Sequence, residues 1–334
     1  MFRQRQRGFL ILAVTVAIVS VTTLGWRMLR RVPDPATSST QEMLRWLAWN
    51  DIATHAPAFQ LQWVDRFSAE LQDGLASRAD SLDWSDPQFS RLAANILHLQ
   101  SVWFYDRTAR YADVAPADRW DFLSTEIDTV MHWSALDLPR GNPNQDSVEF
   151  MDQISAWMDA APPESQVQVR QAVEDATLCW LATSDLADAS EETRSALALR
   201  LARRLDAGYS ATDMRLALRP HHQERLVQNS RLLAEAWLQE QAAKYATLAA
   251  DQRLAFLDQQ IERLTNWRLG ELLAPQNDSS GSGQMLKLLP LINDWVARAD
   301  EPDKERLTKL IADVQARWFV RRFQAFLPTT AGSE

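Results

Sequence analysis

The densest cluster of residues that could do chemistry is His221, His222 and Glu224. Histidine nitrogens and carboxylates bind zinc, and a zinc site needs three or four such ligands. His221 and Glu224 are three residues apart, which places both side chains on one face of a helix. The other three histidines supply no second ligand pair, and Pro220 indicates a loop-to-helix junction, where solvated histidine is ordinary. We therefore predict no metal site, and these three residues are the only candidates for one.

Three other arrangements could support catalysis. Cys179, the single cysteine, lies in an apolar stretch, which predicts a buried and inert thiol. The residues 281–283 (Gly-Ser-Gly) look like a phosphate loop but lack the Gly-Lys pair that follows in such loops. Asp121, Glu126 and Asp128 share one predicted helix, where acids are usually solvated. A hydrolase with carboxylates brought together from two distant helices stays open as an alternative, and we predict no cofactor.

Composition indicates an all-α protein that does not bind nucleic acid. The 334 residues include 14 Trp but only 9 Gly, and strong helix formers dominate outside the N-terminal segment. The net charge is −9. Residues 1–31 contain six arginines and no acidic residue. The rest of the chain therefore holds 29 basic and 44 acidic residues. Such an acidic body repels phosphate backbones.

The N-terminal segment predicts a single membrane anchor. Residues 8–26 carry no charge, and as a helix they match the hydrocarbon core of a bilayer, with Trp26 at the expected interface. A cleaved signal peptide is the alternative, but no small-residue cleavage site follows cleanly. We therefore predict an anchor with basic flanks over 1–31, a linker over 32–44, and a single-pass cell-membrane protein. Three arginines on each side leave the orientation finely balanced, and we favour an extracytoplasmic body.

The remaining sequence predicts a tandem duplication. Shifting residues 46–133 by 134 positions aligns them with 180–267 without a gap, and about a quarter of the 88 pairs are identical, against about 6% for unrelated sequences. Further along, the offset becomes 138. We predict one multi-helix unit over 45–179, a second over 180–322, and a C-terminal tail over 323–334.

Periodicity within each unit is helical. Leu254, Leu257, Ile261 and Leu264 recur at a spacing that places them on one helix face. Ser190 before two glutamates, and prolines 116 and 302 before acids, predict helix starts, while glycines 74 and 208 predict helix ends. Segments 138–146 and 274–283 predict loops. Helical units of this kind stack into arrays or pairs of bundles.

Nine tryptophans occupy matching positions in the copies, which predicts a structural core because large rings fill the space between helices. They are Trp46, Trp103, Trp133, Trp157, Trp180, Trp237, Trp267, Trp295 and Trp318. The unmatched Trp49, Trp63, Trp84 and Trp120 are the better candidates for an exposed binding residue, since packing between copies does not explain them.

One stretch, Ala250–Ile261 (ADQRLAFLDQQI), resembles a helical motif of uncharacterised, membrane-anchored bacterial envelope proteins. The resemblance covers about two dozen residues in each copy. It implies a bacterial envelope setting and assigns no activity or functional residue.

Three functions are compatible with these features. We favour a membrane-tethered scaffold or protein-interaction module, held by the bilayer through residues 8–26 and bound to a protein partner. A membrane-anchored chaperone or assembly factor for a secreted client is the first alternative. A hydrolase with a carboxylate or metal site is the second.

Overall fold

The computed structural model describes residues 32–72, 85–134, 143–209, 216–267, 273 and 284–326. Within these ranges the protein is entirely helical and contains no strand, which confirms the all-α prediction. The helices are α1 (Thr40–Trp49), α2 (Pro57–Gln72), α3 (Asp86–Asp113), α4 (Arg119–Ser134), α5 (Pro143–Asp159), α6 (Gln166–Thr183), α7 (Glu191–Asp206), α8 (Pro220–Thr247), α9 (Ala250–Asn266), α10 (Gln284–Arg298) and α11 (Asp303–Phe326). A short 3-10 helix, Ile52–Thr54, follows α1.

Local sequence fixes several helix ends. Ser39 caps α1, with its hydroxyl accepting from the Glu42 amide while the Glu42 carboxylate accepts from the Ser39 amide. Ser190 caps α7 in the predicted place. At the other end of α7, Gly208 has φ +89, and the amides of Gly208 and Tyr209 donate to the carbonyls of Leu205 and Arg204. This is the left-handed C-cap that the sequence predicts.

The described residues form two compact units, and α3 and α4 each contribute to both. Unit 1 contains residues up to Arg110 and the stretch 128–134. Its core includes Trp46 of α1, whose ring centroid lies 5.2 Å from that of Trp63 on α2. Asn95 of α3 is buried and ties the end of α1 to the helix, since its amide donates to the carbonyls of Leu47 (2.7 Å) and Asn50 (2.6 Å).

Unit 2 contains residues 111–127 and the described residues from 143 onward. Its longest helix, α8, packs against α6, α7 and α11, while α11 also packs against α9 and α10. Asn229 of α8 is buried and donates to the carbonyls of Leu181 (2.7 Å) and Ser184 (2.9 Å) at the end of α6. The offset of 134 pairs Asn229 with Asn95 and pairs their acceptors in the same way.

A second polar contact recurs at aligned positions within unit 2. Tyr111 donates to Asp175 of α6 at 2.5 Å, and Tyr245 donates to Asp313 of α11 at 2.7 Å. An arginine guanidinium lies over each tyrosine ring, 5.1 Å from Tyr111 and 5.5 Å from Tyr245. Each arrangement joins the last turn of one helix to the middle of another through groups that are largely shielded from water.

Several boundaries predicted from the sequence can be compared with the observed helices. Residues 8–26, Gly74 and 274–283 lie outside the described residues. No helix within the described ranges is long and apolar enough to cross a membrane. The predicted loop 138–146 is wrong for its last four residues, because α5 begins at Pro143 and proline is well tolerated in a first helical turn. Helix α1 begins at Thr40, inside the predicted linker, and the predicted boundary at 179/180 falls within α6.

Candidate binding cleft

The candidate metal ligands lie in the first turns of α8. The ring of His222 stacks on Trp120 with 4.2 Å between centroids, and the His221 ring lies 4.0 Å from that of His222. Burial, followed by the neighbouring His221 and Arg219, lowers the pKa of His222. No group of three metal-ligating side chains occurs among the described residues. The visible role of His222 is to cover Trp120.

The other candidate groups are scattered. Cys179 is fully buried within α6, as a small apolar side chain would be. Asp121 and Asp128 are exposed, whereas Glu126 is partly buried. The loop 281–283 lies outside the described residues. The structure therefore brings none of these groups into a catalytic arrangement within the part of the chain that it describes.

Tryptophans contribute mainly to the interior. Six of the nine matched rings are buried: Trp46, Trp103, Trp157, Trp237, Trp267 and Trp295. Trp180 and Trp318 are partly buried, while the side chain of Trp133 and all of Trp84 lie outside the described residues. Among the unmatched tryptophans, Trp49 is exposed, but Trp63 and Trp120 are buried. The prediction of an exposed binding residue is wrong for Trp63 and Trp120, because each fills space against a neighbouring aromatic ring.

A small apolar cleft opens in unit 2 between α6, α7 and α8, with a cavity volume of about 50 Å³. Its walls are almost entirely aliphatic and aromatic. They include Leu178, Leu181, Ala198, Leu205, Leu233 and Trp237. A lining of this kind suits a single apolar group, such as one side chain, better than a whole ligand.

Three residues that line the cleft are smaller than the residues aligned with them in unit 1. Ala198, Leu201 and Ser230 line it, and the offset of 134 pairs them with Val64, Phe67 and Ile96. Val64 and Phe67 are fully buried. The aligned positions in unit 1 thus carry larger side chains.

A few polar groups are buried at the cleft. The Ser230 hydroxyl is buried and makes no hydrogen bond, which leaves a donor and acceptor available inside an apolar space. The Tyr209 hydroxyl is also buried, and burial raises its pKa above the usual range, so it keeps its proton. These groups could orient an apolar ligand that carries one polar atom.

Behind Tyr209 lies a buried guanidinium. Arg204 donates to Thr177 Oγ1 (3.0 Å), Ser155 Oγ (3.1 Å) and the Met151 carbonyl (3.2 Å), and its carbon lies 5.8 Å from the Tyr209 ring centroid. It forms no ion pair within the described residues, and its Nε atom has no hydrogen-bond partner. Burial lowers the pKa of Arg204. The charge of Arg204 thus lies next to a ring that lines the cleft.

Sequence reasoning missed this cleft, because a smaller side chain at an aligned position does not by itself show that space is left unfilled. No protein-family model, curated protein or solved structure matches the chain. Proposals about its function therefore rest on its own geometry.

Proposed function

We propose that the protein is a membrane-tethered helical scaffold of a bacterial envelope, which binds a partner protein by taking an apolar side chain into the cleft of unit 2. The observation that carries this proposal is an open apolar cleft on one of two aligned helical units, with Ser230 unsatisfied inside it. Grooves between packed helices commonly receive the apolar face of a partner helix. The tether is the apolar segment 8–26, with the body extracytoplasmic.

The scaffold is, in this proposal, a duplicated unit. Its support is that two polar contacts recur at aligned residues: the asparagine that binds the end of α1 or α6, and the tyrosine that donates to Asp175 or Asp313. Buried polar contacts are costly unless all partners are present. Their recurrence indicates that the same helix arrangement was kept in both copies.

Filling the cleft with the side chains of the first copy tests the proposal. The double variant Ala198→Val/Ser230→Ile supplies bulk that aligned positions 64 and 96 already carry. The matched control is Leu199→Ala, a change on the same helix at a partly exposed residue outside the cleft lining. In full-length chain crosslinked in its native membrane, we expect the control to keep the wild-type protein adduct and the filled variant to lose it.

A fluorescent apolar dye gives an independent measurement. Wild type and the Leu199→Ala control should bind the dye, and the filled variant should bind much less. Circular dichroism establishes that the filled variant is folded. A folded, filled variant that keeps both the adduct and the dye would show that the cleft is not the binding site.

A further inference from the structure

Different parts of unit 2 contact the middle and the C-terminal end of helix α6. Asp175, in the middle of the helix, accepts from Tyr111, which precedes α6 in the chain. The last turn is held by Asn229 of α8, which follows α6, and Leu181 and Ala182 there are buried. The C-terminal half of such a helix is therefore covered by the helices that come after it.

Helix α11 aligns with α6 at an offset of 138, but no described helix covers the apolar side chains of its C-terminal half. Phe319 and Val320 align with Leu181 and Ala182, yet they are 52% and 46% exposed. Phe323, one turn further, is 70% exposed. We call Phe319, Val320, Arg322 and Phe323 the end face. Three large apolar side chains in water at one spot indicate a surface that is covered in use.

A second pair of aligned residues differs in exposure in the same way. Trp120 of α4 is 7% exposed and is covered by His222 of α8, a helix later in the chain. Leu254 of α9 aligns with Trp120 and is 58% exposed. At both sites the apolar side chain is far more exposed than the aligned side chain that α8 covers.

A third helical unit from another protein does not fit the end face. Helices α1 and α6 stop at aligned residues, Trp49 and Thr183, and there the asparagine binds their last carbonyls. Helix α11 runs five residues past the aligned position, to Phe326. The carbonyls that an asparagine would bind are thus inside the helix and used by its own hydrogen bonds.

Charge identifies a different occupant. Residues 317–326 contain three arginines and no acid, in a chain whose net charge is −9. Arg317 and Arg321 pair with Asp258 of α9, while Arg322 is exposed and lies over the Trp318 ring at 5.2 Å. Aromatic side chains with arginine on one helix are the composition that inserts at the interface of an anionic bilayer. Two copies meeting at this face would instead bring their Arg322 side chains together.

We propose that the end face docks on the surface of an anionic lipid bilayer, so that the body lies against the membrane. The inference rests on the proposed tether, because a chain held by residues 8–26 presents its body to the lipid at high effective concentration. Phe319, Val320 and Phe323 enter the interface, and Arg322 contacts lipid phosphate.

The test places an environment-sensitive fluorophore on single cysteines in the full-length chain. The positions are Phe323→Cys, the matched control Val167→Cys, which is an exposed apolar residue at the start of α6, and Thr15→Cys within the tether. The buried Cys179 should take up no label in the folded protein. The chain is reconstituted in vesicles of phosphatidylcholine, with or without phosphatidylglycerol, that carry a lipid-borne quencher.

With phosphatidylglycerol present, the label at 323 should shift to the blue and lose its emission to the lipid quencher, while the label at 167 should not. Arg322→Glu should abolish both effects. Emission at 323 equal to that at 167 would overturn the docking, and a blue shift that escapes the lipid quencher but grows with protein density would assign the face to a second copy instead. A label at 15 that escapes the quencher would refute the tether itself, separately from the docking.

Discussion

Removing the Asn229 side chain should loosen the junction between α6 and α8 by a predictable amount. The Asn229 amide is buried and donates to two carbonyls, at Leu181 and Ser184. In Asn229→Ala the Leu181 carbonyl stays buried without a partner, which costs about 1–3 kcal/mol, while the partly buried Ser184 carbonyl can gain water at a cost of about 1 kcal/mol. The expected loss is therefore about 2–4 kcal/mol.

Hydrogen exchange in α6 and α8 is the suitable assay, because a chain of two units need not unfold in one step. The control is Gln228→Ala, which removes an exposed amide from the same helix and should change the free energy of opening by less than about 0.5 kcal/mol. Asn229→Asp should be worse than alanine at neutral pH, since a buried carboxylate faces two carbonyls. Its loss should shrink as the pH falls toward the ordinary carboxyl pKa of about 4. Equal exchange in Asn229→Ala and Gln228→Ala would refute the structural role assigned to Asn229.

Three further changes test other parts of unit 2. Tyr245→Phe should lose about 1.5–3 kcal/mol in the same exchange assay, because the hydroxyl, whose pKa is raised to about 12 by burial and Asp313, donates to a carboxylate; an unchanged opening energy would contradict this. Gln260→Met should raise the thermal midpoint, since both amide atoms are buried without hydrogen bonds and removing them relieves about 1–3 kcal/mol; a lower midpoint would count against it. His222 has a lowered pKa, so its contribution is complete above 6.5 and is lost as the pH falls through the folded value. Acid titration should therefore destabilise wild type more than His222→Gln, and parallel curves would disprove the linkage.

Helix type and several helix ends could be read from the sequence because short-range chemistry decides them. Ser190 accepts a hydrogen bond from a free amide at the start of α7. After the end of α7 the backbone adopts a positive φ, which Gly208 does without strain. The start of α5 at Pro143 was missed because proline and asparagine in sequence suggest a loop equally well. The burial of Trp63 was missed because no tryptophan aligns with it. The residue that does align with it, Leu197, is also apolar and buried.

The cleft could not be predicted in this way because it is space left by side chains from three helices. Ala198 and Ser230 are unremarkable in sequence, and only the position of α7 against α8 makes their small size an opening. The end face had a similar limitation. Phe319 and Phe323 repeat at a spacing that is typical of a buried stripe, and only the finished fold shows that no described helix covers them.

Contacts that recur at aligned positions have different physical consequences from contacts that do not recur. The recurring ones, such as Asn95 and Asn229, bind carbonyls at helix ends and so fix which helix meets which. Arg204 and Ser230 instead align with Glu70 and Ile96, so no shared packing requirement explains a buried cation and an unsatisfied hydroxyl. Such groups lower stability unless something binds them. Binding is therefore expected in the cleft of unit 2, whereas the aligned positions of unit 1 carry larger side chains.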